Sequence, residues 1–249
     1  MLTETLNTNA GREWAIARAV QQRFMERPDP SLEAADVSGH CRQVQELGGD
    51  CYNFVPLSDN RLAFAIGDAT GKGLAAALMI SNVQSSLRTA ALFMEGDTAA
   101  VIQAVNQQVY ATSLADRFAT LFYGVFDAAT LTLHYVNAGH NPPAVIRRDG
   151  SIEKLQTGGA PVGMFPEWDY EESAIQLHPG DVVVGYTDGA TEAMNVKGEE
   201  WGMARLSRAA VEHRALCADQ IVGAMFAEMD AFTQGTQTDD ATFVVLRVR

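Results

Sequence analysis

A chain of 249 residues with 47% hydrophobic content can bury one sizeable core, and we expect a single domain over 31–249 carrying a short N-terminal helix within 1–30. Thirty-one acids against eighteen bases leave a net charge of minus 13, which disfavours sequence-independent binding to a nucleic-acid backbone or to an anionic membrane surface. Cys41, Cys51 and Cys217 form no CxxC pair, Met1–Gly11 lacks a basic start before an apolar run, and the longest apolar run, Leu74–Ile80, falls far short of the roughly 20 residues of a spanning helix, so a reduced, soluble, cytoplasmic protein is the expectation.

In chain order, Arg12–Arg27 reads as a helix, with Ile16, Val20 and Phe24 on one stripe and Pro28 and Pro30 ending it. Such a stripe either docks on its own domain or serves as a dimerising or signal-carrying linker. Tyr52–Leu57, the turn "SDNR" and Leu62–Ile66 read as a hairpin. Leu74–Leu92 and Thr98–Ala111 have helical composition, the second opening on Asp97 as its cap. The β pattern returns at "FATLFYGVFD", "LTLHYVN", "PAVIRRDG", "SAIQL" and "DVVVGYTDG". Helices follow at Met203–His213 and Asp219–Phe232, and "ATFVVLRVR" closes the chain as a strand. Hairpins in groups and helices in blocks argue for an α+β fold of antiparallel sheets covered by helices, and against a doubly wound one.

The stretch "AFAIGDATGKGLAAALMI" has the outline of a nucleotide loop but the wrong spacing. Gly67 and Gly71 are separated by three residues, where a P-loop needs four, and Lys72 is followed by Gly73 where Ser or Thr would reach magnesium. The residue after Gly67 is Asp68, and an acid at a strand tip repels phosphate unless a cation lies between them. Three further sites share this design: Asp50 in "LGGDCYNF", Asp188 in "GYTDGATEA", and Asp239 with Asp240 in "QTDDATF". Each sits at an end of an apolar β run beside Gly or small polar residues. Singly, each is an ordinary turn acid. Clustered at a core edge they would raise one another's pKa, and a divalent cation is the simplest compensation. The donors are all oxygens, which favours Mg²⁺ or Mn²⁺ over Zn²⁺. His140 in "NAGHNPP" reads as fixing a Gly-Pro turn, and Lys72 as a solvated first-turn side chain.

These motifs together resemble the PPM-type metal-dependent protein serine/threonine phosphatases, related to protein phosphatase type 2C, and among them the bacterial SpoIIE-like branch of stress-response and sporulation regulators. The resemblance runs from "AIARAVQQRFMERPDP" through "LGGDCYNF", "GDATGKGLAAAL", "FATLFYGVFD", "YVNAGHNPP", "GGAPVGM", "PGDVVVGYTDGATEAMN" and "GEEWG" to "QTDDATFVVL", nearly the whole chain in the family's order. It implies a four-layer α-β-β-α sandwich of two antiparallel sheets flanked by helices. It also implies two Mn²⁺ or Mg²⁺ ions between the sheets, bridged by Asp68. The Ala69 carbonyl would bind one ion, Asp188 and Asp239 the other, and Asp50 would ligate directly or through water, with Asp240 behind them. An activated water then attacks the phosphorus and no protein nucleophile is required.

Some positions depart from the family pattern. Thr70 stands where animal members carry a proposed general-acid histidine, which leaves that role unassigned. Gln45 and Glu46 stand near the place of a phosphate-holding arginine, for which Arg42 or Lys72 are the candidate substitutes. Cys51 and Asn53 stand where relatives often carry an aromatic and an acid, changes expected to affect packing rather than metal binding. The branch implies a phosphoserine or phosphothreonine on a STAS-type anti-anti-sigma protein as substrate in a bacterial partner-switching pathway. Control is expected from an activator protein or a homodimer engaging the N-terminal helix. The alternatives are a catalytically silent phosphatase-fold binding module and a hydrolase of small phosphate esters. Retention of Asp50, Asp68, Asp188 and Asp239 favours the enzyme, because a binding module has no use for clustered charge.

Overall fold

In the computed structural model the described residues are 2–25 (side chains from Gly11 onward), 30, 32–57, 60–94, 97–114 and 116–249. The elements run α1 (Leu2–Met25), β1 (Ala35–Arg42), β2 (Asp50–Pro56), β3 (Arg61–Ala69), α2 (Leu74–Phe93), α3 (Thr98–Thr112), β4 (Ala119–Asp127), β5 (Thr132–Ala138), β6 (Ala144–Ile146), β7 (Ile152–Lys154), β8 (Gly158–Gly159), β9 (Ser173–Gln176), β10 (Val182–Tyr186), α4 (Asp188–Thr191), α5 (Gly202–His213), α6 (Ala218–Thr233) and β11 (Ala241–Val248). They form two sheets, one ordered β1-β11-β10-β6-β7 and the other β2-β3-β4-β5-β8 with β9 alongside β5. Every named pairing is antiparallel except β5 with β8.

Strand alternation sorts the apolar residues into three layers of core. On β3, Leu62, Phe64 and Ile66 point between the sheets, where they meet Phe122 and Phe126 of β4 and Val244 and Leu246 of β11. Ala63 and Ala65 of the same strand point outward onto Ile80, Val83 and Leu87 of α2 and Val105 of α3. Phe243 and Val245 of β11 face out on the other side, under Leu206 of α5 and Ile221, Met225 and Phe226 of α6. With both faces of each sheet covered, the strands read as continuous apolar runs, and the α-β-β-α sandwich expected from the sequence is the fold observed.

The structure departs from the sequence reading in its less apolar parts. β1, "ADVSGHCR", carries little β signal, yet it pairs along all of β11 as the edge of its sheet. An edge strand with one open side tolerates such polar residues. β7 and β8 also went unanticipated, being two or three residues long and poor in apolar side chains. The first helix begins at Leu2 rather than Arg12. Its expected end at Arg27 and Pro28, and Ser58 and Asp59 of the hairpin turn, lie outside the described residues. On α1, Gln21 and Met25 are buried, whereas Trp14, Ile16 and Val20 are exposed, so only its last turns dock. No helix among the described residues is long and apolar enough to cross a membrane.

Phe122 stacks on Tyr135 with ring centroids 5.7 Å apart and leans on Phe64 at 5.9 Å, fully buried at the centre of the inter-sheet layer. Phe122→Ala is expected to cost about 3–5 kcal/mol of stability, read by chemical denaturation. A loss below about 1 kcal/mol would show that this layer does not carry the fold.

Candidate functional site

Antiparallel pairing brings the acids to one end of the sandwich. β2 begins at Asp50 and β3 closes on Asp68 and Ala69, with Asp50 and Asp68 register partners. In the other sheet β10 ends at Tyr186, opposite Phe243 near the start of β11. Asp188 therefore follows one strand and Asp239 and Asp240 precede the other at the same place.

Asp50 is 2% exposed and joins the two sheets. Its Oδ2 accepts hydrogen bonds from the hydroxyls of Thr187 at 2.7 Å and Thr242 at 2.6 Å, both from the opposite sheet. The Thr187 hydroxyl oxygen in turn accepts the Thr242 backbone N–H at 2.9 Å. Burial, then the neighbouring Asp68 charge, push the Asp50 carboxyl well above the ordinary range, and the two hydroxyls oppose that shift.

Asp68 is half-buried, and its pKa is pushed up to about 7 by burial first, then by Asp188, Asp239 and Asp240. Asp239 accepts the Asp240 N–H on Oδ1 at 3.0 Å and the Lys72 ammonium on Oδ2 at 2.8 Å. Asp240 has both oxygens taken by backbone amides, Val44 N–H at 2.8 Å and Gly49 N–H at 2.9 Å, so it fastens the 44–49 loop to the start of β11. The Ala69 N–H donates to Gly49 O at 3.0 Å. A Cβ placed on Gly49 would lie 3.2 Å from both Asp68 Oδ1 and Ala69 O, so this glycine leaves open the space in front of those two oxygens. An all-oxygen donor set with an unneutralised carboxylate at its centre fits a hard divalent cation.

The "TGKG" loop between β3 and α2 is held from the side of β4. Thr70 N–H donates to Phe118 O at 2.9 Å, Thr70 Oγ1 accepts the Phe118 N–H at 3.2 Å, and Arg117 Nη1 donates to Thr70 O at 3.0 Å. His140 Nδ1 lies 2.9 Å from the hydroxyl of Thr120, the register partner of Asp68, and its N–H donates to Asn137 Oδ1 at 2.7 Å. Burial pushes its imidazole down to about 4. It thus fixes its turn, as expected. Arg42 is committed elsewhere, with Nη1 on Asp230 at 2.8 Å and its guanidinium 4.0 Å from the Phe226 ring centroid. Lys72 alone of the two candidate cations reaches the cluster.

Among the described residues, Glu212, His213 and Glu228 are the one set of three metal-type side chains with ligand atoms within 4.8 Å of one another. His213 Nε2 and Glu228 Oε1, 2.8 Å apart, join α5 to α6 there. No three of the expected acids approach so closely. Sequence reasoning missed Thr187, Thr242 and Arg117. The threonines sit beside the acids in "YTDG" and "DDAT", a signal open to use, whereas nothing near Arg117 marks it.

The family described as Stage II sporulation protein E (SpoIIE) matches residues 58–249, a span that holds Asp68, Asp188 and Asp239 and begins after Asp50. Protein IcfG of Synechocystis sp. is 31% identical over 215 residues, covering 76% of this chain and 34% of IcfG. Phosphoserine phosphatase RsbU of Bacillus subtilis is 28% identical over 239 residues, covering 94% of this chain and 70% of RsbU. This chain thus spans about a third of the first relative and more of the second. The SiaA-PP2C domain of Pseudomonas aeruginosa superposes with a TM-score of 0.83 at 19% identity, covering 98% of this chain and 99% of that one.

Because the folded-state pKa of Asp68 lies near 7 and the unfolded value near 4, the native state keeps a proton in that interval that the unfolded chain has released. Stability in chelator therefore falls as pH rises through the interval and is lowest above it. The melting temperature of Asp68→Asn minus that of the wild type, both in chelator, is expected to grow from about pH 5 to about pH 8. A flat difference would contradict the raised pKa.

Proposed function

The chain belongs to the SpoIIE family of PP2C-type phosphatase domains, and we propose that it is a protein serine/threonine phosphatase whose acidic cluster holds Mn²⁺ or Mg²⁺. The observation that carries this reading is Asp68, a half-buried carboxylate surrounded by Asp188, Asp239 and Asp240 and raised to about 7. In this reading Asp68 would serve both ions, the carbonyl of Ala69 one, Asp188 and Asp239 the other, and Asp50 would ligate directly or through water. The chemistry such ions would supply is a lowered pKa for a bound water and charge neutralisation at phosphoryl oxygens.

The rest is done by the chain itself. Thr187 and Thr242 fix the orientation of Asp50, and Asp240 fastens the 44–49 loop through Val44 and Gly49. Arg117 and Phe118 hold the loop that follows Asp68, so the bridging carboxylate sits between two restrained loops. Positioning of this kind is the protein's main contribution to phosphoryl transfer. The substrate we propose is a phosphoserine or phosphothreonine on a STAS-type anti-anti-sigma protein in a partner-switching pathway. The relative named phosphoserine phosphatase RsbU supports that reading.

We assign residues 1–30 to control and 31–249 to catalysis. Gln21 of α1 has a two-way amide bond with Gly48: its Nε2 donates to Gly48 O at 2.7 Å and its Oε1 accepts the Gly48 N–H at 3.1 Å. Gly48 leads directly into Gly49 and Asp50. An activator protein, or a second copy of the chain, that shifts α1 thereby shifts the loop carrying Asp50.

Asp68→Asn is expected to lower Mn²⁺-dependent phosphate release from a serine-phosphorylated STAS-type protein by at least about 10²-fold with the fold intact. Near-normal release at saturating Mn²⁺ would sink the bridging role, and faster turnover of a small aryl phosphate would point to an esterase of small molecules. Gln21→Ala leaves both Gly48 backbone groups unpaired, at about 1–3 kcal/mol, and is expected to reduce the basal rate and Mn²⁺ affinity together. A lower melting temperature with rate and affinity unchanged would reduce α1 to packing.

A further inference from the structure

Lys72 stands where a lysine in the turn before a helix would ordinarily extend into solvent. Gly71 and Gly73, on either side of it, have φ of 95° and 71°, and this left-handed turn sends the side chain back across the pocket instead. The ammonium lies 2.8 Å from Asp239 Oδ2 and 3.4 Å from Thr238 O. Asp239 Oδ1 accepts the Asp240 N–H, so each oxygen of this carboxylate already carries a donor and a cation arriving at Oδ2 meets the ammonium there. The same pocket is lined by Asp68, Lys72 and Asp239, which puts the ammonium among the acids.

We infer that Lys72 is a displaceable counter-ion: it occupies the Asp239 oxygen that a divalent cation needs, yields it when the cation binds, and is freed at the pocket mouth to contact a phosphoryl oxygen of the substrate. The inference rests on the metal-binding reading above. Two cations within reach of one carboxylate oxygen repel each other, so they exchange rather than share. Exchange is easy because both side chains are about half exposed, 58% for Lys72 and 48% for Asp239, and a pair so wet is weak. The other nearby cations are committed, Arg42 to Asp230 and Arg117 to the Thr70 carbonyl. Among the described residues, Asp239 and the Thr238 carbonyl are the partners of Lys72, and both lie on the segment that the cation would engage.

The sign of one measurement separates this role from that of a latch between loops. A latch, when removed, loosens the site and weakens cation binding. A competitor, when removed, strengthens it. Mn²⁺ binding to the metal-stripped full chain is measured by isothermal titration calorimetry for the wild type, Lys72→Met and Lys72→Arg, with circular dichroism to check the fold. Lys72→Met is expected to bind Mn²⁺ about two- to fivefold more tightly, the factor by which an exposed ion pair opposes displacement. Lys72→Arg is expected to bind as the wild type does. In turnover of the phosphorylated STAS-type protein, Lys72→Met is expected to raise KM more than it lowers kcat. Equal or weaker Mn²⁺ binding by a folded Lys72→Met, or binding by Lys72→Arg as tight as that of the Met variant, would overturn the inference. Absence of Mn²⁺ binding in all three proteins would overturn the metal reading, and this inference with it.

Discussion

Carboxylates gathered at one end of a β-sandwich repel one another, and the rest of this structure is arranged around holding them there. Three of the five acids have their charge met by specific donors. Asp50 receives two threonine hydroxyls from the opposite sheet, Asp240 receives two backbone amides, and Asp239 receives one amide and an ammonium. Asp68 is not among them: one backbone amide, its neighbour Ala69, lowers its pKa, against burial and three acids that raise it to about 7. The site is therefore short of positive charge around the carboxylate at its centre. A divalent cation there lets Asp68 ionise and relieves its neighbours together.

The fold supplies this convergence through its topology rather than through any local motif. In an antiparallel pair the start of one strand lies beside the end of the next, so an acid opening β2 meets an acid closing β3, and the same holds for β10 and β11. The three apolar layers carry the stability, which leaves the strand ends free to hold polar groups. Close backbone approach follows. A Cβ on Gly189, next to Asp188, would lie 2.9 Å from the Asp240 carbonyl carbon and 3.2 Å from Asp239 Cβ, so only glycine lets these two loops meet. The spacing of the acids is thus fixed by backbone contact as well as by side-chain bonds.

Much of this was legible in the sequence, and the remainder was hidden for physical reasons. The apolar runs announced the buried strands, the hairpin of β2 and β3 was marked by β-formers on each side of a turn, and the acids stood out because each broke an apolar run at its end. β1 was hidden because an edge strand need not be apolar, and "ADVSGHCR" is half polar. The two threonines that hold Asp50 are 137 and 192 positions from it in the chain, a separation at which no local pattern exists. The stripe on α1 was visible, but Ile16 and Val20 face solvent, and the residues that engage the body are Met25, in the apolar layer, and the polar Gln21. Periodicity reports what a helix can bury, and here the directional contact is an amide pair.

The charge balance is set by loops, and loops are inexpensive to move. The 44–49 loop is tied to α1 by Gln21 at Gly48 and to the start of β11 by Asp240 at both Val44 and Gly49, while the 70–73 loop is tied to the residues before β4 by Arg117 and Phe118 and across the pocket by Lys72. Each tie is a hydrogen bond or an exposed ion pair, worth on the order of 1 kcal/mol. A shift of about 1.4 kcal/mol changes a two-state population tenfold, so making or breaking one or two of these ties is enough to change a loop's arrangement by about that factor while the apolar layers stay as they are. Stability therefore resides in the packed layers, and the arrangement of the acids in a handful of polar contacts around Asp68.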